Sequence, residues 1–71
     1  MAVNVQSEMT GLIWKIVVKV GDEVKKDQEL LIIESMKMEI PIVAPVDGVV
    51  KEILVKEEEF VSEGDVLIVL D

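Results

Sequence analysis

The sequence predicts a single all-β domain, a sandwich or flattened barrel with pseudo-twofold symmetry, and three observations predict it. The apolar residues are rich in Val and Ile, with one Trp and one Phe, a composition that suits strands better than helices. They fall in runs of four to eight residues bounded by Gly, Pro and Asp, as short strands do. The third observation is an internal repeat. Shifted by 37 positions, the chain lands on itself without a gap. Gly11 falls on Gly48, Ile13 on Val50, Ile16 on Ile53, Val18 on Val55, Val24 on Val61 and Leu30 on Leu67. The two copies are residues 3–34 and 40–71, with six identities in 32 positions and matched apolar phase. Each copy is shorter than the roughly 40 residues that fold alone without metal or disulfide. The two are therefore expected to pack face to face. Ile16, Val18, Leu30 and Ile32 would meet Ile53, Val55, Leu67 and Val69.

The elements follow in order. Strands are expected at Val3–Gln6, Leu12–Val18, Glu29–Ile33, Met38–Val43, Val49–Val55 and Val66–Leu70. Shorter extended pieces are expected at Val24 and Phe60–Val61. The residues from 15 to 31 come closest to a helical period, but Gly21 and the β-branched bias oppose it. The apolar phase slips by one residue between Ile13 and Ile16, and again between Val50 and Ile53, which calls for a bulge or bend in each strand. Gly11 and Gly48 read as turn entries, and Gly21-Asp22 and Gly64-Asp65 as turns. Pro41 and Pro45 put the strand after residue 38 at a sheet edge, or themselves at its first residues, because proline cannot donate to a ladder. Trp14 matches Lys51 and Phe60 matches Glu23. A position polar in one copy belongs at the surface, so both aromatics are expected to be partly exposed. Glu57, Glu58 and Glu59 read as a solvated loop.

Composition excludes much. The 71 residues allow one small domain, expected over 1–71. There is no Cys and no His, so disulfides, thiolate or imidazole metal sites, and Ser-His or Cys-His nucleophiles are excluded. All seven basic residues are Lys, against fifteen acids, for a net charge of −8. That balance repels nucleic acid and anionic membrane surfaces. No apolar run reaches the roughly 20 residues of a spanning helix. The N-terminus lacks the basic and apolar regions of a signal peptide. The expectation is a cytoplasmic protein without nucleic-acid or membrane partners. It is either free-standing or one domain of a longer chain. An enzyme built on carboxylates would need a pocket that so small a sandwich has little volume to provide.

Residues 35–39, Ser-Met-Lys-Met-Glu, belong to neither copy and join the last strand of one to the first of the other. A link this short between adjacent strands is a hairpin. It contains neither Asn-Gly nor Asp-Gly, so local turn chemistry does not demand it, and such a turn is a candidate for function. Lys37 sits at its tip between Met36 and Met38. Two methionines at an exposed turn either fold onto the hairpin base or meet a partner.

Glu34-Ser35-Met36-Lys37-Met38 resembles the Glu-Ala-Met-Lys-Met motif of the biotinyl/lipoyl-attachment domain family, with Ser35 in place of Ala. Gly11, Gly21-Asp22, Leu30 to Glu34, Ala44-Pro45, Gly48 and Gly64-Asp65 also fall where that family has them, so the resemblance spans nearly the whole chain. Within the family it is similar to the small stand-alone attachment proteins of biotin carboxyl carrier type. The resemblance implies a barrel-sandwich hybrid, a flattened barrel of two four-stranded antiparallel sheets. It implies that Lys37 receives biotin covalently from a biotin protein ligase. Met36 and Met38 would then serve recognition, and Glu34 and Ser35 would complete the motif. The carrier would move a carboxyl group between biotin carboxylase and carboxyltransferase components by tethering. Some biotinyl domains carry an inserted thumb near the strand that starts at Gly11; the gapless repeat leaves no room for it here.

Two rival readings stay open at this point. Lipoyl domains share the fold but usually carry Asp-Lys-Ala at the tip, so lipoate, alone or accepted as well as biotin, is the alternative cofactor. Lipoyl-like hairpins without the lysine occur in adaptors, so a non-covalent interaction module is the alternative of another class.

Overall fold

The computed structural model describes residues 2–71; Met1, the first residue of the expected domain, lies outside them. Eight strands follow one another: β1 Val3–Gln6, β2 Gly11–Ile16, β3 Glu23–Val24, β4 Glu29–Ser35, β5 Met38–Val43, β6 Gly48–Ile53, β7 Phe60–Val61 and β8 Val66–Leu70. They form two four-stranded sheets. Sheet one has the order β1-β8-β6-β3 and sheet two the order β5-β4-β2-β7. Every pairing is antiparallel. Replacing each strand by the one four places away in the chain turns the first order into the second. The all-β, two-sheet fold is the one expected.

The halves are interleaved, where packing face to face was expected. Each sheet takes two strands from residues before the central hairpin and two from after it. The reason is that the chain changes sheet at each connection except the one between β4 and β5. Backbone bonds tie the halves in matching pairs. Gly21 N donates to Val50 O at 2.8 Å, and Glu58 N to Ile13 O at 2.7 Å. Ser7 N donates to Asp65 O at 2.8 Å, and Ala44 N to Gln28 O at 2.9 Å.

Bulges decide which side chains reach the core. Trp14 and Lys51 are the extra residues where the β2–β4 and β6–β8 registers shift, at the phase slips seen in the sequence. Leu30 and Leu67 are skipped in the β4–β5 and β1–β8 registers. At these two bulges the extra residue is re-aimed inward, so Leu30-Leu31 and Leu67-Ile68 are consecutive yet fully buried. The same shift moves Ile32 to the outer face, where it is half-buried. Strict alternation had placed it in the core. Ile16 and Ile53 are likewise half-buried, packed against the core rather than within it. Strands β2 and β6 end two residues earlier than expected, although Val18 and Val55 just beyond them are buried.

The turns also match in pairs. Gly21 and Glu58 hold φ of 96° and 71°, and Asp27 and Gly64 hold 73° and 91°. Each pair places glycine in one half and an acid in the other at a left-handed position that L side chains disfavour. Side chains close the turns. Asp22 Oδ2 accepts from Lys19 N at 2.8 Å and Glu59 Oε1 from Lys56 N at 2.9 Å. Glu57 Oε2 accepts from Ile16 N at 3.0 Å. Two carboxylates of the acidic run therefore hold backbone, where a merely solvated loop was expected. The exposed aromatics are as expected: Trp14 is 45% and Phe60 77% accessible.

These burial differences predict a graded response to truncation. Leu67→Ala removes a fully buried side chain and should cost about 2–5 kcal/mol in urea unfolding. Ile53→Ala, half-buried, should cost about 1 kcal/mol, in proportion to its smaller buried area.

Candidate functional site

The β4–β5 connection is the one tight hairpin within a sheet among the described residues. Ser35 pairs with Met38, Glu34 with Glu39 and Ile33 with Ile40, leaving Met36 and Lys37 as a two-residue loop. Both have positive φ, 53° and 64°. A two-residue loop with positive φ at both positions is the type I′ pattern, whose twist matches the strands it joins and which ordinarily recruits Asn-Gly. Met and Lys instead cost on the order of 1–2 kcal/mol each in this conformation.

The root of the hairpin is braced. Gly11 opens β2 beside β4, where a Cβ would sit 2.6 Å from Glu34 O and 2.7 Å from Ile33 Cγ2. Glycine is needed there for close approach of two backbones; the turn entry read from sequence is a strand position. Ser35 Oγ donates to Thr10 O at 3.2 Å. The segment before Gly11 is anchored in turn by buried Ser7, whose hydroxyl donates to Met9 O. Strand β1 therefore runs toward the hairpin, and Val3 and Leu70, paired at its start, lie at the far end.

Above this root the tip is bare. Met36 is 92% and Met38 61% accessible, so neither methionine folds back onto the hairpin. Lys37 is exposed, and Glu34 and Ser35 are half-buried. The five motif residues are contiguous, so the hairpin brings them together by construction. Two surface depressions lie elsewhere. One runs between edge strands β1 and β5, and the other lies along residues 53–59. Sequence reasoning missed Thr10 as the hairpin's hydrogen-bond anchor; the short span from Ser7 to Gly11 gives no motif that points to it.

The family model described as "Biotin-requiring enzyme" matches residues 1–70. The chain belongs to the biotin/lipoyl family. It is 57% identical over 67 residues to the biotin/lipoyl attachment protein of Bacillus subtilis, covering 94% of this chain and 92% of that one. It is 37% identical over 70 residues to the biotinylated protein TB7.3 homolog of Mycobacterium leprae, covering 99% of both. Among solved structures it resembles the urea carboxylase of Kluyveromyces lactis, with a TM-score of 0.95 and 39% identity. That match covers all of this chain and 6% of the carboxylase. Among the described residues no helix is long and apolar enough to cross a membrane.

Two substitutions test how the biotin/lipoyl hairpin is held. Met36→Asn places a residue tolerant of left-handed backbone in the loop and should raise stability by about 0.5–1 kcal/mol in urea. Gly11→Ala pushes a methyl group into the β4 backbone and should lower it by about 1–3 kcal/mol.

Proposed function

We propose that this protein is a biotin carrier whose Lys37 is acylated on Nζ by a biotin protein ligase. It is itself no enzyme; it carries the group between the active sites of a biotin-dependent carboxylase, in the cytoplasm. The observation that carries the reading is Lys37 at the bare, left-handed tip of a braced hairpin in a chain of the biotin-requiring family. A relative named biotin carboxyl carrier protein, from Streptococcus mutans, at 47% identity over 62 residues and 48% of its own length, supports the carrier role. The chain also matches pyruvate carboxylase of Staphylococcus aureus over 68 residues at 41% identity, 6% of that protein. This supports a carboxylase as partner.

The carrier's own chemistry is modest. Lys37 must present its amine, and the ligase must bring an activated acyl group and a base for the departing proton. The braced root holds the Lys37 backbone at a fixed place relative to the domain, which lowers the orientational cost of reaction. Once attached, biotin supplies the carboxyl-carrying chemistry. The 36–38 tip, Met-Lys-Met where lipoyl domains usually carry Asp-Lys-Ala, favours biotin over lipoate. The bare methionines give a ligase apolar surface to close on.

Incubation with purified biotin protein ligase, biotin and ATP should give one adduct per chain by intact mass, mapped to Lys37 by peptide analysis. Lys37→Ala should take none; retained labelling would move the acceptor elsewhere. The paired change Met36→Asp and Met38→Ala should lower kcat/KM for biotin transfer by about tenfold or more, the scale of a lost apolar pocket contact. Circular dichroism should remain native. An unchanged rate would remove the methionines from recognition.

A further inference from the structure

We propose that the outer face of sheet two, centred on Leu12, Trp14, Ile32 and Phe60, is the surface on which the Lys37-acylating ligase docks. The partner surface it fits has an apolar centre and a Lys/Arg rim. The inference rests on the reading of Lys37 as the biotin acceptor.

The register places these residues together. Phe60 pairs with Leu12, Leu12 with Glu34 and Glu34 with Glu39, so all four share one row and one face. The neighbouring row, Ile13, Ile33 and Ile40, carries buried Ile13 and Ile33 and faces the core. The row beyond it returns outward, with Trp14 bulged beside Lys15, then Ile32, then Pro41.

The pseudo-symmetry supplies an internal control. The corresponding rows of sheet one hold Glu23, Val49 and Asp71, then Lys51 and Glu52, Val69 and Asn4. Strand geometry and sheet position are the same on both faces. Leu12 and Ile32 have apolar counterparts in Val49 and Val69, as a sheet surface requires. Phe60 and Trp14 do not: their counterparts are Glu23 and Lys51. The two exposed aromatics have both been placed on the sheet that carries the lysine. Packing does not account for Phe60, which is 77% accessible, and Trp14 keeps 45% of its surface open. Aromatic side chains on an exposed face are what interface anchors look like.

Reach selects the acylating enzyme over one acting on the loaded arm. An unmodified lysine extends only its own four-carbon stem, so the ligase must lie against the domain around the hairpin. A standard interface takes about 800 Å² per partner, a disc roughly 16 Å in radius. The hairpin alone cannot fill it. Glu34 is three residues from Lys37, roughly 10 Å along the strand, and Phe60 is two strand spacings across, roughly 10 Å more at right angles. Phe60 thus lies within the disc and Trp14 at its margin. Charge selects the partner's chemistry. Glu34 and Glu39 border the apolar row on a chain of net charge −8, so a second copy would bring acid against acid. A basic rim would be drawn to it and its association accelerated.

The test is steady-state biotinylation of the full chain by purified ligase. In the double variant Trp14→Lys, Phe60→Glu, the second change gives position 60 its counterpart's residue and the first does the same for position 14. KM for the carrier should rise about tenfold or more, the scale of one lost aromatic anchor, with kcat nearly unchanged. The mirror variant Lys51→Trp, Glu23→Phe should leave KM unaltered. For the wild type, KM should rise with added salt. Urea unfolding checks each fold, and Phe60→Ala alone serves if the double variant is unstable. An unchanged KM in a folded variant, or an equal change in the mirror variant, overturns the docking face. If wild-type Lys37 takes no biotin, the acceptor reading fails instead, and the peptide map distinguishes the two.

Discussion

The chain crosses from one sheet to the other at every connection except the loop at Met36 and Lys37. That alternation fixes the rest of the structure. It mixes the two halves within each sheet, so no half has a face of its own to expose. It also makes the core a shared product of matched residues such as Ile13 and Val50, or Leu30 and Leu67. With 71 residues, a simple stack of two separate halves would leave little interior. Interleaving turns every connection but the hairpin into a tie between the sheets, and the paired backbone bonds at Gly21 and Glu58 are examples.

The exception at the hairpin then has a physical meaning. A connection that stays within a sheet can project beyond the core, because neither end has to turn back across it. Its root is held by the neighbouring strand: Gly11 lets β2 lie against β4, and Ser35 binds Thr10. Its tip has no packing at all. The left-handed backbone at Met36 and Lys37 is therefore held by the register below it and not by contacts above it. Asn-Gly would relieve that cost but would remove the amine and the apolar flank. Strain retained at a turn where a cheaper sequence exists is what a functional constraint produces.

Much of this was legible in the sequence. The repeat, the strands, the two bulges near Trp14 and Lys51, the edge position of Pro41 and the hairpin around Lys37 all leave periodic or compositional traces. Three features did not. Interleaving is invisible because the repeat reports that two units are alike, not which strands they exchange. The inward turn of Leu30 and Leu67 is hidden by neighbouring apolar residues: a run such as Leu30 to Ile33 has no polar position to mark its phase. The carboxylates of Glu57 and Glu59 read as solvated because their backbone partners, Ile16 N and Lys56 N, are set by loop geometry. The site fared better than the core for the opposite reason. Its five residues are contiguous, so the motif survives in one dimension.

A pseudo-symmetric fold also separates structural demands from functional ones. Where both halves hold the same kind of residue, folding suffices as the explanation: Leu30 with Leu67, Val24 with Val61, the left-handed positions at Gly21 with Glu58 and Asp27 with Gly64. Where they differ at a matched sheet position that is exposed in both halves, the fold itself does not dictate the choice. The largest such differences gather on one sheet. Phe60 stands against Glu23 and Trp14 against Lys51, and the hairpin with Lys37 rises from β4 and β5 of the same sheet. A single sheet face rising directly to the lysine lets one partner cover an aromatic anchor and the amine together. The opposite face, polar at both matched positions, is left to water.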